Sequence, residues 1–357
     1  MITRPTHGGN LTWATQVAGS PVLWDFSASI NPWGPPECAI AAIQAAIPEL
    51  IHYPDPDYGV LRGAIAQHHD LDPAWVFPGN GAAELLTWAA MDLAQAGITA
   101  LITPAFADYG RACRGAGVEL LACGLDMQGE QRLENLLPPS ALLLNNPHNP
   151  TGKLWPVVEL LPLIAESPCA VVDEAFMDFL PPAQQQSLIP YLAQFPQLVV
   201  LRSLTKFYSL PGLRLGYALA HPDRLAQWRQ RRDPWAVNQL AAAVGAVVLQ
   251  DQDFAQKTWD WLPPARAKLF NGLAAIPGLT PYPGAANFLL VETAIKSDVL
   301  QLDLLKTAQV LIRDCLSFPE LGDRYFRVAV RTDGENQHLL TALANSLQRL
   351  TPNPHVP

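Results

Sequence analysis

Lys206 lies in the stretch RSLTKFYSLPGLRLGY (202–217) and is one of only six lysines in a chain of 357 residues. It follows LVVLRSL (198–204), an apolar run that reads as a buried strand. A charged amine at the end of such a strand is costly unless it is paired, neutralised or able to reach solvent. Held in a pocket instead, the amine can attack a carbonyl and form a Schiff base. Three further stretches raise similar questions. VVDEAF (171–176) puts Asp173 at the end of a run that should be buried, where a carboxylate needs a cationic partner. That partner is either an arginine or a protonated ring nitrogen. NNPHNPTGK (145–153) is stiffened by Pro147 and Pro150 and offers the amides of Asn145, Asn146 and Asn149, as a ligand contact or as a plain Asn-Pro turn. FPGNGAAELL (77–86) sets Gly-Asn-Gly before a helix, a geometry that suits either a phosphate at free amides or an ordinary strand-to-helix turn.

These residues need elements to hold them. TALITPA (99–105), ALLLNNP (141–147), CAVVDEA (169–175), LVVLRSL (198–204) and RLGYALA (214–220) each read as a buried strand bounded by turn residues. Separated by helix-like segments such as AAELLTWAAMDLAQAG (82–97), they imply a mostly parallel sheet. In such sheets ligands collect at the carboxyl ends of the strands, where the polar signals fall. From about residue 248 the texture changes to short strands and helices, AQVLIRDC and RYFRVAVRT among them, closed by the helix ENQHLLTALANSLQRL. The expected division is a large domain over 46–247 and a smaller one from 1–45 and 248–357.

Composition narrows the function classes. Nearly half the residues are apolar and 15% are charged, enough for a substantial core, and the net charge of −9 argues against nucleic acid as a partner. No apolar run is long enough to span a bilayer, and the N-terminus lacks a signal-peptide core. The five cysteines are scattered without metal-ligand spacing, so no metal is expected; they read as thiols of a reducing cytoplasm.

Taken together and in this order, the four stretches resemble the fold-type I pyridoxal-phosphate enzymes, the aspartate-aminotransferase superfamily, over about residues 7–345. Ser203, Lys206, Gly212 and Arg214 match that group's lysine signature. The resemblance implies an α/β fold, a three-layer α/β/α arrangement with a mostly parallel sheet and a smaller α+β domain, and pyridoxal 5'-phosphate as cofactor. It implies Lys206 as the Schiff-base lysine and proton shuttle, and Asp173 as the partner of the pyridine nitrogen. Ser203, Arg214, Gly81 and Ala82 would cradle the phosphate, Phe106 would stack on the ring, and Asn149 would reach the phenolic oxygen. Tyr53, in HYPDPDYG, matches a tyrosine that usually reaches the partner subunit's phosphate, which implies a homodimer with shared sites.

Within the superfamily HGGN (7–10), DFSASINPWGPP (25–36), LIRDCLSFPEL (311–321) and FRVAVRT (326–332) look like the threonine-phosphate decarboxylases of the cobalamin pathway. Phe176 stands where the aminotransferases usually carry a tyrosine, which agrees with that branch or only fills space. The branch implies decarboxylation of O-phospho-L-threonine to (R)-1-amino-2-propanol O-2-phosphate in a cytoplasmic enzyme; the alternative is amino transfer from histidinol phosphate to 2-oxoglutarate. Arg313 and Arg327 lie in or beside short apolar strands, where guanidinium groups are expensive without anions. By resemblance they are substrate clamps with His7, Gly8, Asn31 and Asn149, under an N-terminal segment that covers the substrate. Arg331 is either a third contact or a surface arginine. Motifs alone leave the reaction open, because a shift of about an ångström in substrate placement can decide which bond breaks.

Overall fold

The computed structural model describes residues 4–22, 24–125 and 140–351. The chain divides into two compact units, one from Trp33–His148 and Leu154–Trp259, the other from Met1–Pro32, Asn149–Lys153 and Asp260–Pro357.

The larger unit is built on a seven-stranded sheet. Its strands lie side by side in the order Val76–Gly79, Gly216–Ala220, Leu198–Ser203, Ala170–Asp173, Ala141–Asn145, Thr99–Thr103 and Leu120–Gly124. From Leu198–Ser203 to Leu120–Gly124 every pairing is parallel; Gly216–Ala220 runs antiparallel to both of its neighbours. The mostly parallel sheet expected from the apolar runs is present. Those runs are continuous rather than alternating because helices cover the sheet, so the inner strands are buried along their whole length. The helix Ala82–Ala96 turns Leu85, Leu86, Ala89, Ala90 and Leu93 inward at helical spacing and ends against Gly97, as its sequence indicated. Together with Tyr109 and Cys113 of the next helix, Ala107–Ala116, these side chains pack on Leu143, Val171, Val199 and Leu201 of the sheet. Register then aligns the strand ends: Asn145 stands beside Asp173, and Asp173 beside Leu201.

The smaller unit holds a three-stranded antiparallel sheet, Tyr325–Ala329, Phe288–Thr293 and Leu279–Pro281, and a parallel pair, Trp24–Asp25 with Val310–Leu311. Its helices include Leu11–Ala18, Ser297–Ala308 and Asp333–Leu350, the last opened by a reciprocal cap between Thr332 and Glu335.

The unit boundaries differ from 46 and 247. The helix Glu37–Ala46 packs along Gln239–Val248, and so belongs to the larger unit. The short segment Asn149–Lys153 belongs to the smaller one, because Gly152 meets the 284–285 turn backbone to backbone. The Ala285 N–H donates to the Gly152 carbonyl at 2.7 Å, and a Cβ on Gly152 would come within 2.9 Å of the Gly284 Cα. Among the described residues no helix is long and apolar enough to cross a membrane.

Candidate active site

In the larger unit Asp173 closes a fully buried strand. Its carboxylate accepts from the Tyr109 hydroxyl at 2.8 Å and from the Ala175 N–H at 3.0 Å, both neutral donors. Burial pushes the Asp173 carboxyl above its ordinary range; the Tyr109 hydroxyl, the Ala175 amide and the nearby Lys206 ammonium pull it back only in part. The arginine that could have satisfied it goes elsewhere. Arg202 of the neighbouring strand pairs with Glu174 at 3.0 Å and with Asp178, while Glu174 also accepts from Ser187 Oγ and the Leu188 N–H. Of two adjacent acidic residues, one has a dedicated arginine and the other accepts hydrogen bonds from a hydroxyl and an amide, with the Lys206 ammonium nearby. Tyr109, Glu174 and Arg202 were missed in the sequence. The spacing from Phe106 to Tyr109, one helical turn, was the available signal for the tyrosine.

Lys206 is half-buried in the turn Leu204–Phe207, directly after the Leu198–Ser203 strand. Ser203 caps that turn, its Oγ standing 2.7 Å from the Thr205 hydroxyl. Phe106 precedes the helix Ala107–Ala116 and meets the Tyr109 ring edge-on at 5.6 Å.

The Gly81, Ala82 and Arg214 expectations converge on one place. Gly81 sits at φ +80, and a Cβ there would fall 2.5 Å from Arg214 Nη2, so the guanidinium lies against the glycine that opens the helix Ala82–Ala96. Gly216 is equally confined, with the Ala82 nitrogen 2.9 Å from where its Cβ would be. First-turn amides of a helix lack intrahelical acceptors, and beside a guanidinium they form an anion cradle. Pyridoxal 5'-phosphate fits these residues: a phosphate suits this cradle, and a protonated ring nitrogen suits the buried carboxylate that has no arginine. Tyr53 is 79% exposed and stacks on Trp235 at 4.7 Å. Phe176 is buried, packed on Phe179, and offers no hydroxyl.

The smaller unit gathers Arg313, Arg327 and Asn149. Arg313 and Arg327 face each other across a bridge of two backbone hydrogen bonds, 3.0 and 2.7 Å long. Both side chains are buried. Burial lowers the Arg313 pKa, and it lowers that of Arg327 to about 10 with Arg313 adding to the effect. Arg327 donates to Asn149 Oδ1 and lies over the Phe288 ring, while Arg313 donates to the Thr6 carbonyl and Ser317 Oγ. The Gly9 N–H donates to Ser27 Oγ at 2.8 Å, and a Cβ on Gly8 would collide with the Ser27 carbonyl, which holds the segment around exposed His7 against Ser27. Asn31 is buried. Arg331 is committed to Glu335, at 2.6 Å, and to the Asp25 carbonyl, and this accounts for it as a structural arginine.

Residues 22–343 match the family model for aminotransferase class I and II, and the chain belongs to that family. It is 42% identical to a threonine-phosphate decarboxylase of Salmonella typhimurium (strain LT2), over 97% of this chain and 98% of that protein. A histidinol-phosphate aminotransferase of Ralstonia nicotianae is 31% identical over 89% of this chain and 87% of its own. Among solved structures, the L-threonine-O-3-phosphate decarboxylase of Porphyromonas gingivalis superposes with a TM-score of 0.81 at 25% identity, covering 90% of this chain and 99% of that one.

Proposed function

We propose that the protein is a pyridoxal-phosphate-dependent carboxy-lyase that converts O-phospho-L-threonine to (R)-1-amino-2-propanol O-2-phosphate and CO2, a step of cobalamin biosynthesis. The observation that carries this reading is the buried Arg313–Arg327 pair. Two buried guanidinium groups suit a substrate with two anionic groups, a phosphate and a carboxylate. The 42% likeness to a threonine-phosphate decarboxylase, nearly end to end, supports the same substrate.

When bound, the cofactor supplies the electron sink for the pair left on the substrate's α-carbon as CO2 departs. With the cofactor bound, Lys206 Nζ would hold its aldehyde carbon and would supply the proton that takes the place of CO2 on the substrate's α-carbon. Asp173 would hold the ring nitrogen protonated, with Tyr109 fixing the carboxylate's orientation. Arg214, Ser203 and the amides at Gly81 and Ala82 would hold the cofactor phosphate, Phe106 would cover the ring and Asn149 would take the phenolic oxygen. Arg313 and Arg327, with His7, Gly8, Asn31 and Asn149, orient the substrate's anions. Phe176 withholds the hydroxyl that a tyrosine would place there.

The working form is a homodimer in this reading. Tyr53, Ile51 and Val60 are each at least 79% exposed, with Ile47, Leu50 and Trp235 also open to solvent on the larger unit. A second copy covers these apolar side chains and receives Tyr53. The cysteines among the described residues are all free thiols, which supports a cytoplasmic location.

A paired assay on one preparation tests the reaction. O-phospho-L-threonine, with and without 2-oxoglutarate, should release CO2 at equal rates. Glutamate formed from histidinol phosphate, with no CO2 from phosphothreonine, would install amino transfer instead. Light scattering tests the assembly: a fully active monomer removes the shared site.

A further inference from the structure

In the smaller unit two guanidinium groups, those of Arg4 and Arg313, flank one carboxylate, that of Asp314. Asp314 is buried, and its Oδ1 lies 3.7 Å from Arg313 Nη1. Arg4, near the N-terminus, takes the other oxygen: its Nη1 donates to Asp314 Oδ2 and, at 2.6 Å, to Gln301 Oε1. Gln301 is held in turn by its own bond to the Ile312 carbonyl at 2.7 Å, and the Arg4 guanidinium rests 5.6 Å from the centre of the Trp13 ring. Arg4 is thus fixed from three sides although its side chain is 28% exposed. The charged and titratable neighbours that act on Arg313 are Asp314, Cys315 and Arg4; those that act on Arg327 are Cys315 and Arg313. Burial raises the Cys315 thiol to about 12, which keeps it neutral, so Asp314 is the single negative charge of the group.

That arrangement sets up a competition. A buried carboxylate next to a buried guanidinium closes into a contact pair unless another cation holds it. Arg313 quenched by Asp314 would have little left to offer an anionic ligand, and no part of the sequence signature points to Arg4 as a remedy. We propose that Arg4 is a positioning residue that draws Asp314 away from Arg313 and so keeps the Arg313 guanidinium available to the substrate's phosphate or carboxylate. The inference rests on the assignment of Arg313 as an anion clamp. It assigns the N-terminal segment an electrostatic task in addition to covering the substrate.

The test compares holoenzyme variants R4A, D314N and R4A/D314N, by calorimetric titration with inorganic phosphate and by steady-state kinetics with O-phospho-L-threonine. R4A should weaken phosphate binding and raise KM by on the order of tenfold, with kcat within about twofold, as expected when ground-state and transition-state binding fall together. D314N should bind phosphate at least as tightly as the unaltered protein. R4A/D314N should return to within about twofold of the unaltered protein, since the competing carboxylate is gone along with its keeper. A double variant as impaired as R4A would overturn the proposal, because it would make Arg4 a mere anchor of the N-terminal segment. So would an R4A variant indistinguishable from the unaltered protein. The phosphate titration reads this inference even if phosphothreonine is not turned over, whereas absent CO2 release from the unaltered protein counts against the reaction alone.

Discussion

The two units solve opposite electrostatic problems. The larger one buries Asp173 with hydrogen bonds from Tyr109 and the Ala175 amide and with the Lys206 ammonium nearby, and sends the neighbouring arginine to Glu174. The smaller one buries Arg313 and Arg327 with a single carboxylate close by, already held by Arg4. A charge paired within the protein is structural, as Arg202 and Glu174 show. In the proposed reading, a charge buried without an arginine or carboxylate of its own serves a ligand of opposite sign: a cationic ring nitrogen in one unit, anionic groups in the other.

Changes at the cofactor residues should cost most. Lys206→Ala should abolish turnover and eliminate the borohydride-reducible link between protein and cofactor; peptide mapping that finds the reduced cofactor on any other lysine would break the assignment. Asp173→Asn keeps the shape of the carboxylate but not its charge. Its kcat should fall by roughly 10²–10³-fold while cofactor absorbance is retained, and near-normal turnover in a folded variant would remove the charge argument for the larger unit.

The smaller unit should respond in binding. Arg327→Ala should cost about 3 kcal/mol, on the order of 10²-fold in kcat/KM for phosphothreonine, comparable to losing one partner of a buried ion pair. An effect no larger than that of Arg331→Ala, whose guanidinium is already committed to Glu335, would erase the distinction between the two arginines.

The smallest change sharpens the comparison. Tyr109→Phe takes from Asp173 a hydrogen bond that lowers its pKa, so the carboxyl should move further up, in the direction burial already pushes it. Because the carboxylate is the form required, the acid limb of the kcat profile should shift to higher pH, with kcat at its optimum reduced by about tenfold or less. A limb that stays in place would show that Tyr109 does not bear on that charge.

Much of this was legible beforehand. The continuous apolar runs indicated the buried parallel strands, since only a sheet covered on both faces tolerates them. Lys206, Asp173, Gly81 and Arg214 announced themselves as polar or glycine residues at the ends of such runs. The sequence alone therefore determined five of the sheet's seven strands and the helix Ala82–Ala96, but not the strands Val76–Gly79 and Leu120–Gly124. It left open which arginine would meet which carboxylate. Asp173 and Glu174 are adjacent in the chain, and the strand register with the turn around Ser187 directs Arg202 to the second. Tyr109 reaches Asp173 across 64 positions of chain, and Arg4 reaches Asp314 across 310. Pairings of that kind depend on packing between elements far apart in sequence, which local pattern does not encode, so only the tertiary structure decided them.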